Sequence, residues 1–297
     1  MHRTPTSLAI LAVFLAAPLL QAPLGPARAD DDAPPPGQRI FTCGHSFHAF
    51  VPDILADLAG EARIAGHDQV GVSSINASRV VVHWAVPDER NEAKKALRSG
   101  AVDVLTLSPL YLPDPGIENF TSLALEGNKN IRVLVQNIWL RFDIYEPTMK
   151  RPATVDHDAI TIEELRRRHQ PLFDSIDRHV RNLNDRHGRT VLFVVPAGQA
   201  VVDLRERIVA GQAPGLATQE DLFADPGGHG RPPLKALVAY CNYAVIYRRS
   251  PVGLPVPTIL RKANRPGWDE KLNRVLQEVA WNAVIRHPLS GVQADQR

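Results

Sequence analysis

A serine stands beside two histidines at the end of a short run of strand-forming residues. The run RIFTCG (39–44) is followed by His45 and Ser46, with His48 two residues further on. Gly44 would permit a sharp change of chain direction between a strand and the helix that follows it. Such a turn would expose the Ser46 hydroxyl, and an exposed serine next to a base can act as a nucleophile.

A base and an acid suited to this serine stand together much later in the chain. The segment DPGGHG places Asp225 and His229 in a glycine- and proline-rich loop, directly before a predicted helix. A carboxylate can orient an imidazole so that its other nitrogen takes the proton of a serine hydroxyl. These residue types predict nucleophilic catalysis of acyl transfer, provided that the fold brings His229 to Ser46.

Other interpretations of the same residues stay open from the sequence. Serine is a preferred N-cap residue, so Ser46 could simply begin a helix. His45, His48 and His83, with Asp53, are residue types that bind metal ions, but no recognised zinc-binding motif accompanies them. His48 and His83 could instead line a substrate pocket.

Five apolar runs alternate with helical patterns along the chain. The predicted strands are residues 39–44, 69–75, 102–108, 131–139 and 190–198. The last three runs are apolar on both faces, as in parallel sheets that helices cover on both sides. The pattern predicts an α/β fold, a three-layer doubly wound sandwich with a mostly parallel five-stranded sheet. Functional sites in such folds form at the carboxyl ends of the strands, where Ser46 stands.

Two of the predicted helices and two long loops are relevant to the site. The segment TIEE (161–164) has the spacing of a capping box and begins a predicted helix over residues 161–187. Another helix is predicted over residues 47–66, directly after the first strand. Segments 140–160 and 213–233 are long and rich in proline or glycine, and long loops in a compact domain are often functional.

The order of these features resembles the SGNH (GDSL-like) hydrolase superfamily, in particular its secreted bacterial members. The resemblance covers roughly residues 39–250 and is most specific at the serine turn and in DPGGHGRPPLKALVAYCNYAVIYRRSPVGL. It implies an SGNH/flavodoxin-like fold with Ser46 as nucleophile, His229 as general base and Asp225 as the acid that orients the base. The acid–histidine spacing is one residue longer than the usual D-x-x-H. No organic cofactor and no metal ion is implied.

The resemblance also implies an oxyanion hole, with the Ser46 N–H as one donor. The family usually adds a glycine after the second strand and an asparagine after the third, whereas this chain reads SSINASRVVVHW and LSPLYLPDPGIENF there. The candidates for oxyanion or substrate-binding roles are Asn76, Ala77, Ser108, Asn119 and Trp139. For Trp139, at the end of the fourth predicted strand, packing beneath a loop is an equal alternative.

The first residues have the pattern of a secretory signal peptide. The apolar run 8–20 is followed by small residues in an A-x-A cleavage pattern that ends at Ala29. The run is shorter than the roughly twenty residues that a transmembrane helix needs, although a retained anchor stays an alternative. We predict a signal peptide over 1–29, a disordered segment over 30–38 and a single α/β domain over 39–290.

Charge and cysteine content limit the classes of partner. The formal net charge of +2 falls to zero without residues 1–29, which contain Arg3 and Arg28 and no acid. A net charge of zero gives no indication of the basic surface with which proteins bind nucleic acid or an anionic membrane. No stretch after residue 37 is apolar for long enough to span a membrane. Cys43 and Cys241 could pair in an oxidising compartment or could both be buried thiols.

Together these features predict a secreted or periplasmic serine hydrolase that acts on a small-molecule or carbohydrate ester, with acetyl esters as one class. The alternative is a catalytically inactive binding module on the same fold, which the departures at the oxyanion positions favour. The distance between Ser46 and His229 distinguishes the two. Hydrogen-bond reach favours the enzyme, whereas an imidazole that points away favours the binding module.

Overall fold

The computed structural model describes Met1, residues 33–145, Pro152 and residues 155–294. The chain divides into two units, Met1–Ala33 and Pro34–Arg297, and the elements below belong to the second. Apart from Met1, the predicted signal peptide lies outside the described residues. The predicted disordered segment is described from residue 33, and the Gly37 N–H already donates to the Ala65 carbonyl at 3.1 Å.

The described residues contain one sheet of five strands, all of them parallel. The strands are β1 (Arg39–Gly44), β2 (Asp68–Ser74), β3 (Val104–Leu107), β4 (Arg132–Gln136) and β5 (Leu192–Val195), in the order β2-β1-β3-β4-β5. β3 is buried throughout, whereas the edge strand β2 is partly exposed along its length. The predicted fold class is confirmed. The predicted strands at 131–139 and 190–198 are too long, because their apolar ends belong to a buried loop and to the next helix.

Nine α-helices lie within the described ranges. They are α1 (Val51–Glu61), α2 (Val80–Trp84), α3 (Glu92–Arg98), α4 (Pro115–Gly127), α5 (Ile162–His187), α6 (Ala197–Val209), α7 (Pro232–Tyr247), α8 (Thr258–Ala263) and α9 (Glu270–Arg286). The start of α5 is as predicted, since the Thr161 hydroxyl accepts from the Glu164 N–H at 3.2 Å. None of these helices is both long and apolar enough to cross a membrane.

The helices cover both faces of the sheet. The β1–α1–β2 and β2–α3–β3 connections run in opposite directions across the sheet, so right-handed crossovers place α1 on one face and α3 on the other. On the α1 side, α7 packs against α1, α6 and α9, while α2, α3 and α4 pack together on the opposite side. α7 is buried along nearly its whole length, which explains why its sequence is apolar on all sides.

The strand order places a crevice beside β1. β1 connects to β2 on one side, and the chain then crosses back to β3 on the other side, so the loops that leave the carboxyl ends of β1 and β3 lead to opposite faces of the sheet. Ser46 follows β1 and Ser108 follows β3, so both lie at this crevice. The fold therefore positions the predicted nucleophile where open α/β sheets bind ligands.

The two cysteines are free thiols inside the fold. Cys43 lies in β1 and Cys241 in α7, and both are fully buried. The disulfide alternative is therefore wrong. Burial raises the pKa of both thiols, because the apolar surroundings disfavour the thiolate.

Candidate active site

Ser46, His229 and Asp225 form a chain of hydrogen bonds at the carboxyl end of β1. The His229 Nδ1–H donates to Asp225 Oδ2 at 2.7 Å, and Nε2 accepts from the Ser46 hydroxyl at 3.0 Å. The His229 backbone N–H also donates to Asp225 Oδ1 at 3.3 Å. Partial burial acts to raise the pKa of Asp225, but the hydrogen bonds from His229 outweigh it and hold that pKa below its usual value. The carboxylate is therefore ionised at neutral pH and fixes the imidazole tautomer.

The loop with the acid and the histidine is closed upon itself. The Ala224 N–H donates to the His229 carbonyl at 2.7 Å, and the Gly228 N–H donates to the Asp225 carbonyl at 3.0 Å. Gly228 has φ +85°, in the region that glycine adopts most readily. The left-handed glycine thus accommodates the extra residue between acid and histidine, so the longer spacing leaves their hydrogen bond intact.

Ser46 lies in a turn before the first helix and does not cap it. α1 begins at Val51 after Phe50, which makes no side-chain cap hydrogen bond. The predicted helix over 47–66 therefore starts four residues too early. The turn is closed by the His48 and Ala49 N–H groups, which both donate to the His45 carbonyl at 2.8 Å. Both the N-cap interpretation of Ser46 and the early helix start are wrong.

Gly44 is required by contact and not by backbone torsion. Its φ is not positive, so the conformational argument made for this glycine does not apply. A Cβ at Gly44 would lie 2.7 Å from Cδ2 and 2.9 Å from Cβ of His48. The small residue lets the imidazole of His48 fold back against the end of β1, and this sets the course of the serine turn.

Two aromatic rings connect the serine turn to the acid–histidine loop. Phe47 stacks on Trp139 with ring centroids 4.3 Å apart, and it lies nearly perpendicular to the His229 ring with centroids 5.3 Å apart. The Trp139 Nε1–H donates to the Gly228 carbonyl at 2.8 Å. Trp139 is buried and does not line the pocket beside Ser46. The packing alternative for Trp139 is therefore the one that the structure shows.

Ser46 faces a pocket of about 370 Å³. Its lining residues are His45, Ser46, Phe47, Asn76, Ala77, Leu110, Arg141 and His229. The candidates Asn76 and Ala77 are both among them. Ala77 has φ +49°, so the backbone adopts the left-handed conformation at the point where the resembling family has glycine. Among the described residues, none has a backbone carbonyl that accepts from the N–H of Ser46 or of Ala77.

Ser108 does not line the pocket itself but is hydrogen-bonded to His45, which does. The His45 Nδ1 accepts from the Phe47 N–H at 3.3 Å, so Nε2 bears the proton and donates to the Ser108 hydroxyl at 3.3 Å. Burial, together with nearby cationic and histidine side chains, lowers the pKa of His45 to about 3. His45 is therefore a neutral wall of the pocket. Ser108 supports this wall and is itself buried.

His48 and His83 are fully engaged by protein groups. His48 Nδ1–H donates to Gln136 Oε1 at 2.7 Å, and Nε2 accepts from Thr106 at 2.9 Å. His83 is bonded through both ring nitrogens to serine hydroxyls, at 2.7 and 2.8 Å. Burial lowers the pKa of each histidine to about 4. Neither lines the pocket, and within the described residues no three His, Cys, Asp or Glu side chains are grouped to hold a metal ion.

Asn119, like Trp139 and Ser108, does not line the pocket. It lies inside α4, which begins at Pro115, and it is absent from the lining residues. The asparagine of the resembling family is expected directly after the third strand, whereas here that position is Ser108, already engaged by His45.

Arg141 lines the pocket, although it is not among the site residues predicted above. It begins a 3₁₀ turn (Arg141–Asp143) after β4. The sequence signals were its place within the long segment 140–160 and its position soon after the fourth predicted strand, where a residue could shape the mouth of a site. An arginine in a loop has no spacing that relates it to a serine almost one hundred residues earlier, so only the fold could show that it lines the same pocket as Ser46.

Known proteins resemble this chain in structure and not in sequence. No protein-family profile matches the sequence, and no curated protein is significantly similar to it. A crystal structure of a DUF4886 family protein from Bacteroides uniformis matches with a TM-score of 0.51 at 14% identity, over 84% of this chain and 95% of that one. This match shows a shared fold.

Two further solved structures match this chain with lower TM-scores. A candidate SGNH hydrolase from Slackia heliotrinireducens matches with a TM-score of 0.44 at 17% identity, over 70% of this chain and 97% of that one. A candidate GDSL-like lipase from Parabacteroides merdae matches with a TM-score of 0.39 at 12% identity, over 70% and 94%.

Proposed function

We propose that this protein is a serine hydrolase that cleaves a carboxylic ester. The observation that supports this most strongly is the hydrogen-bonded chain from Ser46 Oγ to His229 Nε2 at 3.0 Å and from His229 Nδ1 to Asp225 at 2.7 Å. Both distances lie within the reach needed for proton transfer and for orientation of the base. This geometry supports the enzyme over the inactive binding module.

The proposed reaction begins with attack of Ser46 Oγ on the ester carbonyl carbon. His229 Nε2 takes the hydroxyl proton, and Asp225 stabilises the imidazolium that forms. The tetrahedral intermediate then expels the alcohol, which leaves with the proton from Nε2. A water molecule attacks the acyl-enzyme while Nε2 takes one of its protons, and the return of that proton to Ser46 releases the carboxylic acid.

The oxyanion of the tetrahedral intermediate would be bound by backbone N–H groups. Ser46 and Ala77 both line the pocket, and no described backbone carbonyl accepts from either N–H. The left-handed conformation of Ala77 turns its peptide out of the regular course of the chain after β2. Donors preorganised in this way stabilise charge as it develops at the carbonyl oxygen.

The test is hydrolysis of p-nitrophenyl acetate by the protein and by Ser46→Ala and His229→Ala. We expect each change to lower kcat by about 10⁴-fold or more, because the nucleophile and its base act as a unit. Ser99→Ala, at the exposed C-terminal end of α3, is the matched control and should leave kcat unchanged.

A fluorophosphonate probe provides a second readout that does not depend on the ester. We expect covalent labelling at Ser46, located by peptide mass spectrometry, and no labelling of His229→Ala. Folded protein that neither turns over the ester nor reacts with the probe would overturn the proposal in favour of the binding module.

The proposal includes export of the protein. The apolar run 8–20 and the A-x-A pattern ending at Ala29 support cleavage before Asp30. N-terminal sequencing of protein recovered outside the cytoplasm of a bacterial expression host would test this. An N-terminus at Asp30 is expected, and an uncleaved Met1 would contradict it.

A further inference from the structure

We propose that Arg141 binds an anionic group of the ester substrate, so that the preferred substrate has a carboxylate, phosphate or sulfate near the bond that is cleaved. This inference rests on the proposed ester hydrolysis, and it names the class of ester. A guanidinium presents a planar fork of N–H donors that matches the geometry of such groups.

The charge distribution of the pocket supports the inference. Among the described residues that line the pocket, Arg141 is the only arginine, lysine, aspartate or glutamate. Asp225 does not line the pocket, and His45 is held neutral by burial and by neighbouring groups that include the Arg141 guanidinium. The other lining side chains include Phe47 and Leu110, which exclude water. A single cation in such surroundings attracts an anion more strongly than it would in bulk water.

The turn that presents Arg141 has an unfavourable backbone. Phe142 and Asp143 both have positive φ values, +55° and +53°. A residue with a side chain pays about 1–2 kcal/mol to adopt this conformation. Two such residues in succession persist only where surrounding contacts enforce them, and such positions are concentrated at functional sites.

Buried polar contacts enforce this conformation. Arg205 donates to both carboxylate oxygens of Asp143, at 2.5 and 2.9 Å, and His157 Nδ1–H donates to Asp143 Oδ2 at 2.8 Å. Burial acts to raise the pKa of Asp143, but the hydrogen bonds from His157 and Arg205 lower it to about 2. On the other side of the turn, the Leu140 N–H donates to His169 Nε2 at 3.0 Å. The turn is therefore fixed at both ends.

The same turn places Arg141 beside the acid–histidine loop. The Arg141 guanidinium lies 5.1 Å from the centroid of the Phe142 ring. A Cβ at Gly227 would lie 3.7 Å from Phe142 Cε1, so this ring packs next to the peptide between Asp225 and His229. The strained turn thus holds the Arg141 guanidinium beside the proposed catalytic groups. Packing of the hydrophobic core alone would not require this position.

The experiment compares anionic esters with neutral esters of the same shape. One pair places the charge on the acyl side: mono-p-nitrophenyl glutarate and its methyl ester. The other pair places it on the alcohol side: 4-acetoxybenzoate and its methyl ester. For each pair, the ratio of kcat/KM for the anionic ester to that for the neutral ester is measured. Comparison of this ratio between variants cancels the intrinsic reactivity of the esters.

We expect Arg141→Gln to lower this ratio by about tenfold or more in at least one pair, as for loss of a charge-assisted hydrogen bond. Arg141→Lys keeps the charge but loses the fork, and it should lower the ratio less. The matched control is Arg167→Gln on α5, whose side chain is 73% exposed and paired with Glu164. It removes the same charge from the protein and should leave both ratios unchanged.

The outcomes separate the inference from the function on which it rests. Ser46-dependent hydrolysis of the neutral esters, with ratios that Arg141→Gln leaves unchanged in both pairs, would overturn the inference and leave the esterase standing. Absence of any Ser46-dependent hydrolysis would overturn the esterase itself. If Arg141→Gln does not fold, Arg141→Lys decides, since an unchanged ratio in a folded lysine variant contradicts binding through the guanidinium fork.

Discussion

Replacement of Trp139 by phenylalanine removes one hydrogen bond that connects the two halves of the proposed catalytic site. The Trp139 Nε1–H donates to the Gly228 carbonyl at 2.8 Å, between Asp225 and His229. Phenylalanine keeps an aromatic ring to stack on Phe47 but has no donor. The change therefore tests whether this buried bond positions the histidine.

The expected loss of stability follows from the Gly228 carbonyl, which Trp139→Phe leaves without a hydrogen-bond donor. Gly228 is buried, and a buried carbonyl without a donor costs about 1–3 kcal/mol of stability. The smaller ring adds about 1 kcal/mol for the space that it leaves. If His229 moves by a few tenths of an ångström to 1 Å, kcat should fall by about 10–100-fold, since displacements of this size cost up to about 10²-fold.

A second tryptophan provides a matched control. Trp268 is 7% exposed, and its Nε1–H donates to the carbonyl of Gly215 at 3.2 Å. Neither Trp268 nor Gly215 lines the pocket beside Ser46. Trp268→Phe removes the same type of bond to the same type of acceptor and should lower stability without a change in kcat.

The assay combines urea unfolding with steady-state hydrolysis of p-nitrophenyl acetate. Trp139→Phe and Trp268→Phe should have similar free energies of unfolding, while only Trp139→Phe should lose kcat, with KM little changed. Equal kcat in the two folded variants would refute the reasoning that this bond positions His229. A loss of kcat in both would show instead that stability alone limits turnover.

Three further predictions follow from local features. Ala77→Gly should raise the free energy of unfolding by up to about 1 kcal/mol, because Ala77 has φ +49°. The control Ala96→Gly, inside α3, should lower the free energy of unfolding by about the same amount. Destabilisation by both changes would contradict the prediction for Ala77. Cys43 and Cys241 should react with Ellman's reagent only after unfolding, since both are buried with raised thiol pKa values, and fast labelling of native protein would be the opposing result. The pKa of Asp143 is about 2 in the fold against 3.8 otherwise, so its contribution is complete above about pH 5 and lost as pH falls towards 2. Asp143→Asn should cost about 3–5 kcal/mol at pH 7 and flatten this acid dependence in urea titrations; an unchanged slope would exclude Asp143 as its cause.

Much of the fold could be predicted because its signals are local. Apolar runs buried on both faces indicate a parallel sheet, and the spacing of Thr161 and Glu164 indicates the start of α5. Asp225 and His229 are close in the chain, so their hydrogen bond needs only a tight loop. The last two predictions depend on contacts between residues three or four positions apart, and the structure contains both contacts.

The roles of other residues could not be predicted because they depend on distant contacts. Gly44 is small because His48 folds back on it, and Trp139 packs beneath the acid–histidine loop and not into the pocket. Asn119 was selected for its residue type, but α4 holds it away from the crevice. Residue type and spacing do not determine which other segment of the chain a loop will contact.

The sequence by itself determined the alternation of strands and helices, the serine after the first strand and the acid–histidine pair before α7. Only the tertiary structure decided that Ser46 and His229, 183 residues apart, lie within hydrogen-bond distance. It also decided that Ala77 and Arg141 line the same pocket. The physical reason is that local periodicity and turn chemistry set each element, whereas the meeting of loops depends on how the sheet and its two helical layers pack as a whole.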